Sequence, residues 1–449
     1  MRIKRRDLLK ASALASMLAS LNWSTLVKAA GEAIKNGDIG VVWLEAQDCA
    51  GNTTAVIQAT DPSLVDVLLG TTPLVGPGTV RLLFHETVMP EWGAYHVTSS
   101  SDVNNDQYLA SIVSQQPAPG NADAILTDLA NGKYGSYVLV LEGSFPQEYG
   151  ISGSNITTEG GYYCKIGQHT CTEWLKKLLP NAVAVVAVGN CASYGGIPAN
   201  KVLEPPPGFN YATWSQSPTG AIGFFDDPLR GIKGVIHQPY FQPEVEPFRK
   251  YIDEGGVPDL KTVKPAVAVP GCPANGNGIM RTLALLVLVA AGYLDISVLR
   301  REDFLDEYAR PNFIFQLTTH EQCPRAAWYA AGDFRPYPGA GDGKCLYGVG
   351  CKGPVSHCPW NKVGWVGGVG GPTRTGGVCI GCTQPGFTDA FEPFYAKLPY
   401  TPVGLKSLTD VAVVTAAAIA GAGVIGGAWA AARARAEKKA QSGGQQEKK

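Results

Sequence analysis

The chain has 449 residues, with 37 basic and 38 acidic side chains and a formal net charge of -1. An apolar content of 45% excludes a disordered chain, and the near neutrality excludes a nucleic-acid-binding protein that works through a basic face. The eleven cysteines are an odd number, which argues against a closed disulfide framework and favours metal or redox use of the thiols.

The chain begins with a basic segment that contains two adjacent arginines, Arg5 and Arg6, followed by an apolar run of small residues over 11–21. This pattern predicts a twin-arginine export signal over residues 1–30. A basic amphipathic first helix is the alternative. Because this export route carries folded proteins, the signal is typical of a protein that receives its cofactors in the cytoplasm.

Four Val-rich runs bounded by Gly or Pro predict buried parallel strands, and they predict an α/β fold. The runs span residues 40–44, 137–141, 182–188 and 265–269. Three of them end in a loop that carries a cysteine: Cys49, Cys191 and Cys272. Since ligands bind at the carboxyl ends of strands in doubly wound sheets, we expect a site there. A helix is predicted near residues 279–294.

Two cysteines, Cys164 and Cys171, lie outside these loops and are seven residues apart. In a helix this spacing is two turns, so both side chains would face one side. We expect them to be buried free thiols, with a ligand role as the alternative.

Residues 310–398 hold six of the eleven cysteines and contain no periodic helix or strand pattern. Such a segment cannot easily bury a core of its own, so metal ligation is the predicted stabilising element. One set of donors suits either zinc or a 4Fe-4S cluster with one histidine: His320, Cys323, Cys345 and Cys351. The remaining three thiols suit a 3Fe-4S cluster: Cys358, Cys379 and Cys382.

Residues 411–432 form an uncharged stretch of Ala, Val, Ile and Gly that is followed by basic residues. About 20 apolar residues span a bilayer as a helix, and a basic flank stays in the cytoplasm. We therefore predict a transmembrane helix over 411–432 and a cytoplasmic tail over 433–449, with a buried Ala-rich core helix as the alternative.

An ordered set of motifs resembles the small subunit of a nickel-iron hydrogenase. The motifs are WLEAQDC (43–49), the Glu142-Gly143 pair, CASYGGIPA (191–199), GCP (271–273), HEQCPR (320–325), CLYGVGCKGP (345–354), Cys358-Pro359 and CIGCTQP (379–385). The resemblance covers residues 38–397. It implies a flavodoxin-like domain with a parallel sheet over 38–300 and an irregular domain that binds iron–sulfur clusters over 310–398.

The resemblance also implies which residues hold each cluster. His320, Cys323, Cys345 and Cys351 would hold a distal 4Fe-4S cluster; Cys358, Cys379 and Cys382 a medial 3Fe-4S cluster; Cys49, Cys191 and Cys272 a proximal cluster. Most of the family has a fourth proximal thiolate where this chain has Asn52. The carboxylate of Asp48 is expected to complete a 4Fe-4S cluster, and a 3Fe-4S cluster without a fourth ligand is the alternative.

The function implied by the resemblance is electron transfer. Hydrogen would be oxidised at the nickel-iron site of a separate large subunit, and electrons would pass through the three clusters to a membrane acceptor such as a cytochrome b or a quinone-reducing subunit. Glu142 would lie near the contact with the large subunit and help protons leave. The resemblance leaves open a higher oligomer of heterodimers. The predicted export signal and membrane span together place the body outside the cytoplasmic membrane.

Two other functions stay open from the residues alone. One is the cluster-binding subunit of respiratory complex I, which shares the flavodoxin-like domain. The other is a membrane-anchored zinc or disulfide scaffold without a redox role.

Overall fold

The computed structural model describes residues 39–65, 81–89, 122–147, 150–152, 155–157, 163–167, 169–201, 217, 219–339 and 341–396, together with Leu18. The predicted export signal (apart from Leu18), the predicted membrane span and the tail lie outside these residues. Among the residues that are described, no helix combines the length and the apolar character needed to cross a membrane.

Eleven strands are found in the described part of the chain. They are β1 Gly40–Glu45, β2 Arg81–His85, β3 Tyr137–Glu142, β4 Phe145–Pro146, β5 Gly150–Ser152, β6 Asn155–Thr157, β7 Lys165–Ile166, β8 His169–Thr170, β9 Ala182–Val188, β10 Ala221–Ile222 and β11 Ala266–Val269.

Ten α-helices accompany them in the same residues. They are α1 Gly51–Ile57, α2 Ala122–Ala130, α3 Cys171–Leu178, α4 Gly189–Tyr194, α5 Glu246–Asp253, α6 Gly276–Ala290, α7 Arg301–Phe304, α8 Asn312–Phe315, α9 Ala326–Ala330 and α10 Trp360–Val363. Short 3-10 turns connect several of them.

Five strands form one parallel sheet in the order β2-β1-β3-β9-β11. In the order in which its strands occur along the chain, this is 2-1-3-4-5, the flavodoxin-like arrangement. The α/β class and the four predicted strands are therefore confirmed. Strands β1, β3, β9 and β11 are almost completely buried, as expected for a parallel sheet covered on both faces.

Strand β2 was not predicted from the sequence. Its run RLLFH begins with Arg81, ends with His85 and lies at the sheet edge, so it lacks the Val-rich pattern of the central strands. The predicted helix at 279–294 is α6, which begins earlier because the Asn275 side chain accepts from the backbone N–H groups of Asn277 and Gly278.

The expectation that Cys164 and Cys171 are free thiols is wrong, because they form a disulfide with a Cα–Cα distance of 5.4 Å. The segment between them is no helix. Strands β7 and β8 pair as an antiparallel hairpin and return the chain on itself. The backbone N–H of Cys171 then donates to the carbonyl of Cys164 at 3.0 Å.

The segment 310–396 has a different character from the sheet domain. Its helices α8, α9 and α10 have only four or five residues each. One of its small apolar groups consists of Leu346, Cys351, Val378 and Cys379. Two of these four residues are cysteines, so thiols form part of the packing itself.

A buried arginine joins this segment to the sheet domain. The side chain of Arg230 is fully buried and forms ion pairs with Asp227 at 2.9 Å and with Asp389 at 2.8 Å. It also donates to the carbonyl of Phe387 and to the side chain of Asn200. Since Asp389 and Phe387 belong to the C-terminal segment, this network fixes the position of that segment against the loop that follows α4.

Candidate metal centres

Three cysteines lie together at the carboxyl end of the sheet. Cys49 lies in the loop after β1, Cys191 in α4 directly after β9, and Cys272 in the loop after β11. Burial raises the pKa of Cys191 to about 12, and the nearby Cys272, Cys49 and Asp48 add to this effect. Burial and then Cys49 raise the pKa of Cys272. Thiols that disfavour one another's ionisation in this way are stabilised as thiolates by a bound cation.

Two glycines leave space beside these sulfur atoms. A Cβ added at Gly51 would lie 3.0 Å from Cys49 Sγ, and one added at Gly196 would lie 2.6 Å from Cys191 Sγ. Gly196 also has a φ of +53°, which side chains adopt with strain. The space next to the sulfurs and the soft character of the donors fit an iron–sulfur cluster.

Asn52 is a hydrogen-bonding centre among four loops. Its Oδ1 accepts from the backbone N–H of Ala274 at 2.8 Å. Its Nδ2 donates to Glu142 Oε1 at 3.2 Å and to the carbonyl of Val188 at 3.4 Å. The side chain thus connects the ends of β3, β9 and β11 to α1, and coordination of a metal would break these bonds.

The Asp48 side chain has fewer hydrogen bonds than that of Asn52 and could bind a metal. One of its oxygens, Oδ2, accepts from the backbone N–H of Ala50 at 2.8 Å. Burial raises the pKa of Asp48, and the nearby Glu142 raises it further. A carboxylate oxygen of Asp48 lies within 4.8 Å of carboxylate oxygens of Glu45 and Glu142, and Asp48 directly precedes Cys49 in the chain.

Glu142 is completely buried at the end of β3. It accepts hydrogen bonds from Trp43 Nε1 at 3.0 Å, from the Asn52 backbone at 2.9 Å and from Thr53 Oγ1 at 2.6 Å. These bonds hold the loop of Cys49 against β3. A role in proton exit stays a prediction.

A group of ionisable side chains lies beside this site and is not predicted by the sequence patterns. Ligand atoms of Glu45, His85 and Glu86 lie within 4.8 Å of one another. His85 Nδ1 accepts from the Thr87 backbone at 3.2 Å, so Nε2 carries the proton and faces Thr53 Oγ1 at 3.3 Å. The imidazole lone pair is thus already used, and burial lowers the pKa of His85 to about 4. The group is a hydrogen-bonded cluster around a neutral histidine, and it carried no sequence signal because β2 was not predicted.

The three cysteines predicted for the medial site also come together. Cys379 and Cys382 lie close enough to Cys358 to raise its pKa, and Cys379 also raises that of Cys382, in each case after the larger effect of burial. The Cys272 thiol also raises the pKa of Cys382, so the two residues lie near each other. Asn190 strengthens this junction because its Nδ2 donates to the carbonyl of Cys382 at 2.9 Å. The medial and proximal groups are therefore neighbours.

The four residues predicted for the distal site line one cavity: His320, Cys323, Cys345 and Cys351. Backbone N–H groups point at three of the four donors. Each lies 3.4 Å from a sulfur: Arg325 N from Cys323, Tyr347 N from Cys345, and Cys379 N from Cys351.

The distal donors have the chemistry of a thiolate site with one imidazole. Backbone donors aimed at sulfur are typical of iron–sulfur sites. Burial lowers the pKa of His320, which favours the neutral imidazole that binds metal. Since Cys379 is a medial residue and Cys351 a distal one, their contact makes these two groups neighbours as well.

Comparison with known proteins identifies the family of the chain. Residues 315–395 match the family model for the C-terminal part of the NiFe/NiFeSe hydrogenase small subunit. The F420 non-reducing hydrogenase I small subunit of Methanosarcina mazei is 31% identical over 399 residues, which cover 87% of this chain and 84% of that protein. The chain belongs to the nickel-iron hydrogenase small-subunit family. It is thus a subunit for electron transfer with iron–sulfur chemistry, and the catalytic site lies on a separate large subunit.

Solved hydrogenase structures are similar over most of the chain. The actinobacterial-type NiFe-hydrogenase from Ralstonia eutropha H16 has a TM-score of 0.56 and 28% identity and covers 85% of this chain and 91% of that one. The [NiFeSe] hydrogenase from Desulfovibrio vulgaris Hildenborough has a TM-score of 0.54 and 28% identity, with coverages of 81% and 99%.

The sheet domain also matches a second family. Residues 49–286 match the NADH ubiquinone oxidoreductase, 20 Kd subunit. This match ends before the medial and distal motifs begin, whereas the hydrogenase match includes them. The complex I alternative is therefore explained by a shared domain.

Proposed function

We propose that this chain carries electrons through three iron–sulfur clusters between a nickel-iron large subunit and a membrane acceptor. The observation that supports this best is the line of three donor groups. Cys272 lies near Cys382 between the proximal and medial groups, and the backbone N–H of Cys379 lies 3.4 Å from Cys351 Sγ between the medial and distal groups. Electron transfer along a chain of clusters needs each cluster to lie close to the next one.

The proposed ligand sets follow these groups. The distal 4Fe-4S cluster is held by the four cavity residues around His320, and the medial 3Fe-4S cluster by the three thiols around Cys379. When bound, such clusters supply one-electron redox chemistry. The chain supplies thiolate charge, backbone N–H donors to sulfur, and burial, which together set the reduction potentials.

The direct test is purification of the chain with its large subunit, followed by measurement of iron, labile sulfide, zinc and hydrogen uptake. We expect a brown complex with iron and sulfide in cluster amounts and with hydrogen-dependent reduction of an artificial acceptor. A colourless protein that contains zinc and no labile sulfide would instead support the scaffold alternative.

For the proximal cluster we propose a 4Fe-4S centre with Cys49, Cys191, Cys272 and Asp48 as ligands. The hydrogen bonds that occupy Asn52 support this choice, as does the place of Asp48 in the chain directly before Cys49. In Asp48→Asn, the amide oxygen can still accept from Ala50, but the anionic ligand is lost. We expect this variant to lose one iron per chain and to gain a 3Fe-4S signal in low-temperature EPR.

A matched control for that variant is Asp128→Asn, because Asp128 lies on α2 and pairs with Lys133 away from the cysteines. It should retain the full iron content and the native spectrum. An unchanged proximal spectrum in Asp48→Asn would show that Asp48 is no ligand and would favour a cluster held by three cysteines.

We propose that the large subunit binds beside the proximal site. Ile57, at the end of the helix after Cys49, and Ile197, in the turn after Cys191, are 59% and 52% exposed. Trp365 is also exposed, and its carbonyl accepts from Asn275 in the loop after Cys272. Exposed apolar side chains next to three loops of one site mark a partner surface. Ile197→Asp should therefore reduce recovery of the large subunit with the chain.

We also propose that the protein is anchored in the membrane with its body on the outer side. In this proposal the complex oxidises hydrogen, and a cytochrome b or quinone-reducing subunit accepts the electrons. Heterodimers of the small and large subunits can associate further. The sequence patterns at 1–30 and 411–432 support the membrane anchoring, and the Cys164–Cys171 disulfide is typical of an oxidising compartment. Replacing Arg5 and Arg6 with Lys should retain the protein in the cytoplasm. Fractionation followed by protease treatment of intact spheroplasts measures this.

A further inference from the structure

Two hydroxyl groups are buried near the medial cysteines. Thr319 and Ser356 are each 1% exposed. Neither Thr319 Oγ1 nor Ser356 Oγ has a hydrogen-bond partner among the described residues. Buried hydroxyl groups are nearly always hydrogen-bonded, so two adjacent exceptions indicate partners that are absent from the polypeptide.

The two residues lie side by side between the medial and distal sites. The backbone N–H of Thr319 donates to the carbonyl of Ser356 at 2.7 Å. Thr319 directly precedes the distal residue His320, and Ser356 comes two residues before the medial residue Cys358. Both hydroxyls are therefore held by backbone that also holds proposed ligands.

The groups that face these hydroxyls are thiols. The Thr319 hydroxyl lies near the thiols of Cys358 and Cys379 and lowers their pKa, and the Ser356 hydroxyl does the same for Cys379, although neither forms a hydrogen bond of ordinary geometry with them. A neutral thiol is a weak acceptor, whereas a thiolate or sulfide bound to iron is a strong one. The geometry thus suits a cluster and leaves the hydroxyls poorly paired without it.

Thr373 at the distal site provides a contrast. Its Oγ1 lies 3.1 Å from Cys323 Sγ, but it also lies 2.9 Å from Asn361 Oδ1, to which it can donate. A hydroxyl with an oxygen acceptor does not depend on sulfur. Thr319 and Ser356 differ because neither hydroxyl has an oxygen acceptor among the described residues.

We propose that Thr319 and Ser356 are positioning residues whose hydroxyls donate hydrogen bonds to the sulfurs of the medial cluster and raise its reduction potential. The inference rests on the proposed function, because it requires a cluster at Cys358, Cys379 and Cys382. Hydrogen bonds to sulfur stabilise the reduced cluster, which carries more negative charge, over the oxidised one.

The test is an EPR-monitored redox titration of the complete complex with Thr319→Val, Ser356→Ala and the wild-type chain. We expect each variant to lower the ratio of reduced to oxidised medial cluster at a fixed potential by about tenfold, which is about 59 mV for a one-electron couple. Thr319→Ser should restore the wild-type potential. Thr172→Val is the control, because Thr172 is also buried but its hydroxyl donates to the Pro146 carbonyl.

Each outcome has a distinct meaning. Absence of a medial EPR signal in the wild-type complex would contradict the proposed function. A normal signal with an unchanged potential in both variants would overturn the present inference alone. Deuterium ENDOR of the wild-type complex in D2O needs no variant: exchangeable deuterons coupled to the medial cluster are expected, and their absence would also overturn it.

Discussion

The sheet domain and the segment 310–396 hold cysteines on scaffolds of different kinds. In the sheet domain the central strands are buried on both faces, and the three proximal cysteines lie just beyond the strand ends, outside a continuous apolar core. In the C-terminal segment the helices are one turn long, and buried cysteines are part of small apolar groups. The fold of the sheet domain holds its metal site in place, whereas in the C-terminal segment the metal sites stabilise the fold.

The cysteines therefore have two roles in one chain: the proximal thiols only bind metal, whereas the medial and distal thiols also stabilise the fold. At the proximal group, loss of the metal would leave the sheet packed, because none of its strands depends on a thiol. At the medial and distal groups, loss of the metal would leave buried thiols facing one another within the small apolar groups that they help to form. Metal binding and folding should therefore be coupled far more strongly in the C-terminal segment.

Removal of iron should have the largest effect on the stability of the C-terminal segment relative to the sheet domain. Structural metal sites contribute on the order of 10 kcal/mol to small domains, so the iron-free segment 310–396 should unfold while the sheet domain persists. Limited proteolysis of the iron-free complex, mapped by mass spectrometry, should give cuts clustered in that segment. Equal protection of both regions without iron would contradict the coupling.

Arg230 is the next most sensitive position, since it joins the two regions. Arg230→Ala leaves the fully buried carboxylate of Asp227 without its cation. Breaking a buried pair in this way costs about 3–5 kcal/mol of unfolding free energy. Thermal unfolding of the complex measures the loss, and Arg230→Ala combined with Asp227→Asn should recover part of it.

The control for this position is an exposed pair. Arg249 pairs with Glu246 on the surface of α5, where such pairs contribute about 0–1 kcal/mol. Arg249→Ala should therefore have little effect on unfolding. Similar losses at Arg230 and Arg249 would show that the junction is no stronger than a surface contact.

The central strands and the cysteine groups could be predicted from the sequence because their signals are local: Val-rich runs and closely spaced motifs. The role of Asn52 could not, because its partners Glu142, Val188 and Ala274 lie 90, 136 and 222 residues away. The family pattern showed only that a thiol was missing there. Only the fold shows that an amide fills that position with hydrogen bonds between three strand ends.

Acid should destabilise the sheet domain through one buried histidine. Burial holds the pKa of His85 at about 4, below its ordinary value of 6.5, so the unfolded state binds more protons between these values. Stability is then lost as the pH falls from 6.5 to 4, by up to about 3 kcal/mol. The neighbouring Glu45 and Glu86 have raised pKa values and act in the opposite direction, so a difference between variants is needed.

His85→Gln provides that difference, because an amide can accept from Thr87 and donate to Thr53 without titrating. The wild-type complex should lose about 3 kcal/mol more than the variant over this pH range, measured by thermal unfolding. His237→Gln changes a more exposed histidine between Asp226 and Asp253 and serves as the control. Parallel curves for wild type and His85→Gln would exclude this role for His85.

The smallest of these effects concerns the disulfide of the sheet domain. The Cys164–Cys171 bond closes a loop with a sequence separation of seven, for which chain entropy gives about 2 kcal/mol of stabilisation. A Cys164→Ser, Cys171→Ser double variant should lower the unfolding free energy of the complex by about that amount and should retain all of its iron. Retained iron would place these two cysteines apart from the nine proposed ligand thiols, as their pairing indicates. Loss of iron in the double variant would mean that the disulfide, too, supports a cluster, and that the sheet domain depends on its cysteines more than its buried strands suggest.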